Sequence, residues 1–262
     1  WSLVSNPLPP LELLDEEGMT RIENTAFRVL EELGLEFMSE EACRILEANG
    51  AKVDHATGLV KMDRALVKTM IAKAPQEFKM YARNPERNLV VGGNYINFGP
   101  VGGTPNASDL ERGRRPGSFR DQVELIKLHQ SLNTLHTSGG TIVAAQDLPV
   151  PTRHLDQHRA QILYSDRVWG GSAIGRDRIK DALELARIAR GVPLEQIQRE
   201  PSISTIINTN SPRRVDKELL SGLMEMAENG QVVCVTPFTL AGAMSPITIA
   251  GALALQSAEA LG

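Results

Sequence analysis

From Asp15 to Leu33 the apolar residues Met19, Ile22, Ala26, Val29 and Leu33 recur at helical spacing, and Gly34 follows as a left-handed stop. Ser39, with Glu40 and Glu41 behind it, caps a second helix that ends at Asn49-Gly50. Asp63 caps a third helix through Leu66, Val67, Met70 and Ile71, closed by Pro75. Val53 and Leu59-Val60 flank Thr57-Gly58 as the arms of a hairpin, and 78–83 and 89–91 read as strands around the turn signal Asn84-Pro85. Residues 1–94 are therefore expected to form a small α+β region of helices and hairpins.

From Tyr95 onward the rhythm changes. Strand-like runs at 95–99, 135–145, 168–174, 203–208 and 231–236 are each followed by a helical run, at 118–132, 152–164, 176–190, 215–229 and 247–261. Ser118-Phe-Arg-Asp121 is a capping-box start for the first of these helices. Five strand–helix units at a spacing of roughly 30–40 residues predict a parallel α/β fold over 95–262. No glycine-rich nucleotide fingerprint follows any strand. The strand ends instead lead into long polar loops rich in Gly and Pro, such as Gly99-Pro-Val-Gly-Gly-Thr-Pro and Asn208-Thr-Asn-Ser-Pro. Such loops suit the catalytic face of a (β/α)8 TIM-type barrel, here incomplete at about five of eight units. The last strand, around Val232–Val235, reads as buried on both faces, and the Ala/Leu-rich helix Ile247–Leu261 covers only one of them. The expectation is a chain that is part of something larger, broken between the fifth and sixth units.

Composition narrows the class. Apolar content of 42% and charged content of 23% are ordinary for a globular protein, and a net charge of -4 lacks the basic stripe of a nucleic-acid binder. No run reaches the ~18 apolar residues of a membrane span, and the N-terminus lacks the basic and apolar regions of a secretory signal. Cys43 and Cys234 sit in apolar patterns and are expected to be buried free thiols of a reduced cytoplasm.

Several stretches together resemble the trimethylamine methyltransferase family: Leu30-Glu-Glu-Leu-Gly-Leu-Glu-Phe, Tyr81-Ala-Arg-Asn-Pro-Glu-Arg, Asn97-Phe-Gly-Pro-Val-Gly-Gly-Thr-Pro and Ser245-Pro-Ile-Thr-Ile-Ala-Gly-Ala-Leu-Ala, with Asp109 before Gly113-Arg-Arg. The resemblance runs through most of the chain. It implies a (β/α)8 barrel and methyl transfer from a tertiary or quaternary methylamine, such as trimethylamine or glycine betaine, to the Co(I) centre of a cognate corrinoid protein. It implies no cofactor bound directly, the corrinoid being carried by the partner, and a chain that is the N-terminal portion of a longer enzyme and inactive by itself. The pyrrolysine of the founding members would fall beyond Gly262.

Such a transfer turns a cation and a reduced metal into neutral products, so a water-poor pocket with aromatic faces favours it, at roughly 0.5–2 kcal/mol per cation–π contact. With aromatics at only 4% of residues, those at strand ends stand out: Phe98, Trp169 and Phe238. Trp169 is favoured because Gly170-Gly171 would leave its face open, although core packing competes for all three. Asp147, past the second strand, either binds substrate or caps the next helix. Asn208 and Asn210 end the fourth strand, where amides orient a carboxylate or simply form the turn before Pro212. No catalytic residue is singled out. His154 and His158, four apart on one helix face, lack a third metal ligand, and no metal site is expected. Arg112, Arg114 and Arg115 read as a solvated loop or a contact for an anionic partner. No lysine ends a strand, which removes a Schiff-base nucleophile. The rival readings are another barrel enzyme acting on a small carboxylated substrate, and a non-catalytic binding module.

Overall fold

The computed structural model describes residues 1–262, a mixed α/β chain of nine α-helices and several small sheets. In chain order the elements are β1 (Val4–Ser5), α1 (Glu16–Arg28), β2 (Leu35–Phe37), α2 (Glu40–Ala48), β3 (Lys52–Asp54), β4 (Leu59–Lys61) and α3 (Arg64–Ile71). They continue with β5 (Glu77–Met80), β6 (Leu89–Gly92), β7 (Tyr95–Ile96), β8 (Asn106–Asp109), β9 (Gly113–Pro116), α4 (Phe119–Ser131) and α5 (Arg153–Tyr164). The rest are β10 (Trp169–Gly170), α6 (Arg176–Arg190), α7 (Leu194–Arg199), β11 (Ile203–Thr209), β12 (Arg214–Val215), α8 (Lys217–Glu228), β13 (Val232–Pro237) and α9 (Ile249–Leu261). No helix is long and apolar enough to cross a membrane.

The chain packs as two compact units, one of residues 1–8, 76–205 and 224–233, the other of 9–75, 206–223 and 234–262. This division cuts across the boundary at 94/95 suggested by the change of sequence texture. The second unit carries a four-stranded sheet in the order β12-β2-β4-β3, in which β2 and β4 are antiparallel and β12 runs parallel to β2. Caps set its helices: Asp15, Ser39 and Asp63 each accept from a backbone N–H in the first turn of α1, α2 and α3. Helix α1 gives way to a wide turn over Val29–Leu33 that stops at Gly34, whose φ is +74°. A Cβ at Gly34 would lie 2.5 Å from the Val60 carbonyl oxygen, so glycine is required there on two counts. Phe27, Leu30, Leu35, Val60 and Met62 fill the interior, with Ala254 and Ala258 of α9, which packs on α1.

In the first unit α6 and α7 present Ile179, Ala182, Leu183, Ala186 and Ile197 to Ile203 and Trp169. Each fully buried isoleucine there contributes about 1.5–3 kcal/mol of transfer free energy. Strands β10, β11 and β13 form a sheet in that order, with β10 and β11 parallel through Trp169–Ile203. The run 135–145, expected as a strand, is not one. Gly139 takes φ +70° and breaks the extension, leaving single parallel bridges of Thr137 to Val168 and of Thr104 to Val143. Side chains satisfy part of its buried backbone: Gln122 accepts from the Val143 N–H at 3.0 Å, and Gln161 donates to the Gly140 carbonyl at 2.7 Å. Successive segments nevertheless stay neighbours. The His136 N–H donates to Phe98 O, Ser138 N–H to Val168 O and Gly170 N–H to Gly139 O.

No closed barrel is formed by these strands. Nor is β13 buried on both faces. It adjoins only β11, and Cys234 is exposed while Cys43 is buried, so only one of the two expected buried thiols is buried. The hairpin β8–β9 and the short β12 arise from polar stretches without apolar alternation.

Arg167, 2% exposed, closes α4. Its guanidinium donates to the carbonyls of His129, Gln130 and Leu132 at 2.6, 3.1 and 2.8 Å, where the helix dipole is negative. Substituting Arg167→Met leaves three carbonyls without this donor. The expected loss, read by urea unfolding, is about 3 kcal/mol or more, with Arg167→Lys intermediate because an ammonium lacks the planar fork.

Candidate functional site

A cleft lies in the second unit, at the carboxyl ends of β11 and β13. It measures about 430 Å³ and is lined by Asn208, Thr209, Asn210, Ser211, Leu219, Phe238 and Met244. Its size falls in the range of small-ligand sites, and strand carboxyl ends are where α/β folds place them. Phe238 follows Pro237, which ends the strand, and stands half exposed at 50%. Leu219 and Met244 add aliphatic walls.

The two carboxamides are oriented from behind. Thr236 Oγ1 donates to Asn208 Oδ1 at 2.6 Å, and the Asp216 N–H donates to Asn210 Oδ1 at 2.9 Å. A backbone N–H can only donate, so the Asn210 amide is fixed with its oxygen inward and its NH2 unspent. The cleft thus offers amide donors beside an aromatic ring. Asn210 also serves the turn, its N–H donating to Arg214 O at 2.7 Å.

Of the six residues singled out from sequence, Asn208, Asn210 and Phe238 line this one cleft. The other three lie in the first unit and do other work. Trp169 does not present an open face: it is 7% exposed, packed against the His158 ring at 4.9 Å. The adjacent glycine has a different use, since a Cβ on Gly170 would sit 3.0 Å from the backbone of Gly140, and the two backbones need that approach. Phe98 stacks on His136 at 5.7 Å, and its N–H donates to His136 Nδ1 at 2.9 Å. Asp147 accepts from the Phe119 N–H at 2.8 Å, capping the start of α4, the helix before it in sequence and not the one after.

Glu259 was missed. It is 2% exposed on α9 and accepts from Thr209 at the end of β11 and from Ser211 and Arg213 in the loop that follows; Thr209 and Ser211 line the cleft. The available signal was its being the lone charge in the run Ile247–Leu261.

His154 and His158 are buried on α5 but do not converge on one point. His154 Nε2 meets Asp181 at 2.8 Å and His158 Nε2 meets the Ser172 hydroxyl at 3.2 Å. No three His, Cys, Asp or Glu side chains come together as a metal site. In the β8–β9 hairpin Arg112 and Arg115 are paired with Asp109 and Asp121, while Leu110 at its tip is fully exposed.

The fold is mixed α/β, with a cleft of small-ligand size at strand ends. The family profile described as Trimethylamine methyltransferase (MTTB) matches residues 1–262, and the chain belongs to that family. Among curated relatives, the glycine betaine methyltransferase of Desulfitobacterium hafniense (strain Y51) is 36% identical over 97% of this chain and 52% of its own length. The trimethylamine methyltransferase MttB of D. hafniense (strain DSM 10664 / DCB-2) is 28% identical over 94% of this chain and 50% of its own. That of Methanosarcina barkeri is 23% identical over 96% of this chain and 52% of its own. The chain spans about half the length of these relatives.

Burial, reinforced by His154, pushes the His158 imidazole down to about 4. The folded state therefore binds fewer protons than the unfolded one between pH 6.5 and 4. Stability from this group is fully present above pH 6.5 and is lost as the pH falls toward 4. The expected loss is about 3 kcal/mol, and urea midpoints across this window should fall less steeply in His158→Gln than in the wild type.

Proposed function

We propose that the protein moves a methyl group from a tertiary or quaternary methylamine to a corrinoid carried by a separate protein, and that its substrates bear a carboxylate, as glycine betaine does. The observation that carries this reading is the cleft, where Phe238 stands beside two amides whose oxygens are already engaged. The aromatic face attracts the ammonium at about 0.5–2 kcal/mol, and the free NH2 groups of Asn208 and Asn210 receive the carboxylate. Leu219 and Met244 keep water from the methyl-bearing end, which favours a charge-neutralising transfer. A quaternary ammonium, or a tertiary amine bound as its protonated ammonium, leaves as a neutral amine, so no general acid is assigned. A cleft of about 430 Å³ fits the amine and not a corrinoid. The corrinoid therefore enters as the second substrate, on its own protein at the cleft mouth, and supplies the Co(I) nucleophile. A reductant as strong as Co(I) suits a cytoplasmic location.

We further propose that residues 95–262 contribute five units of a (β/α)8 barrel. In support, the segments at 98, 136–139, 168–170, 203–209 and 232–237 are neighbours in sequence order. The 36% identity to a glycine betaine methyltransferase favours the carboxylated substrate over plain trimethylamine.

Incubating the full-length protein with a reduced corrinoid protein and each amine, and following the absorbance change as Co(I) is consumed, tests the proposal. No change with any methylated amine would overturn it. The Asn208→Asp variant should lose at least tenfold in kcat/KM for glycine betaine, because two carboxylates then face each other, while any activity on trimethylamine holds. Replacing Phe238 by Ala should raise KM for both amines by roughly 3–30-fold.

A further inference from the structure

Helix α9 carries one charge on an otherwise apolar run, and that charge is buried. Glu259 Oε2 accepts from Thr209 Oγ1 at 2.5 Å and from Ser211 Oγ at 2.6 Å; Oε1 accepts from the Arg213 N–H at 2.7 Å. Three donors converge on two oxygens. A carboxylate satisfies them all, whereas a carboxamide turns an NH2 group toward at least one of them. Burying an acidic group is costly unless it is fully hydrogen-bonded, so its presence here calls for a use.

Thr209 and Ser211 alternate with Asn208 and Asn210 along one four-residue wall of the cleft. Holding the two hydroxyls from behind sets the path of the backbone between them and hence where the amides point. At Arg213 the backbone takes φ +58°, unusual for a residue with a side chain, and the Glu259 contact to its N–H falls at that residue. The Arg213 side chain then donates to the Gly34 carbonyl at 2.9 Å, tying the end of the loop to the segment entering β2.

We propose that Glu259 is a positioning residue for substrate: it holds loop 209–213 so that Asn208 and Asn210 meet a carboxylate in register. This rests on the cleft being the substrate site. Glu259 touches no substrate itself. Its removal costs affinity at the carboxylate end, remote from the methyl group that leaves, so the effect falls on KM more than on kcat.

The test uses the full-length protein and its Glu259→Gln and Glu259→Asp variants, with amide hydrogen exchange, thermal unfolding and turnover of glycine betaine. In Glu259→Gln, exchange at the Arg213 amide is expected to speed up at least tenfold while the α6 core keeps its protection. KM for glycine betaine should rise about tenfold, with kcat falling less than threefold. Glu259→Asp keeps the charge but withdraws it by one methylene, and should lie between. If both variants misfold, Ser211→Ala leaves the buried carboxylate intact and should shift Arg213 exchange in the same direction by a smaller factor. Unchanged exchange at Arg213, or faster exchange with an unchanged KM, overturns the proposal. Wild-type protein that turns over no methylated amine overturns the functional reading instead, and the exchange rate at Arg213 still decides whether Glu259 holds the loop.

Discussion

The architecture around the cleft hangs on a carboxylate placed inside an apolar helix. Glu259 is the point at which α9 grips the loop between β11 and β12. Through Arg213 the same loop reaches Gly34, and through Arg214 and Val215 it extends the sheet beside Glu36 and Phe37. Cleft wall, sheet edge and the stop of α1 thus share one set of hydrogen bonds. Hydrophobic burial holds α9 in place but does not specify its rotation, since Ala and Leu recur on all its faces. The buried charge does, because only one rotation brings its two oxygens to three donors.

The first unit solves a different problem. Its segment 135–145 runs through the interior without being a regular strand, and interior backbone without a ladder must find other partners. Glutamines 122 and 161, on α4 and α5, reach in and supply some of them. Glycines 140 and 170 let two backbones approach where side chains would hold them apart. This accounts for polar residues on the inward face of α5, which otherwise look like a poor amphipathic helix. Arg167 applies the same logic at the end of α4, using a charged side chain as a helix terminus.

Helices were largely legible in the sequence. Starts at Ser39, Asp63 and Ser118 follow from capping, which depends on residues within one turn. Strands were less so: β7 and β10 are only two residues long, and β8 and β9 pair polar stretches that carry no alternating pattern. At the cleft, Asn208, Asn210 and Phe238 come together because strand ends lie side by side. Trp169 and Phe98, chosen on the same rule, do not, because ending a strand says nothing about which side of it a ring takes. At Glu259 the local pattern shows only a lone charge in an apolar run; the partners that give it a role lie up to fifty residues away, which local patterns do not carry.

The pairing of α1 with α9 has a consequence for how the chain is made. Helix α1 leaves the ribosome more than two hundred residues before its partner. At roughly 5–20 residues per second the delay is on the order of ten to fifty seconds. Throughout that interval the stripe holding Ala26 and Phe27 has no α9 to meet. Until then only earlier elements such as α3, whose Arg64 lies over the Phe27 ring, can cover that stripe. Amino-terminal fragments ending before α9 should be sticky out of proportion to their own composition.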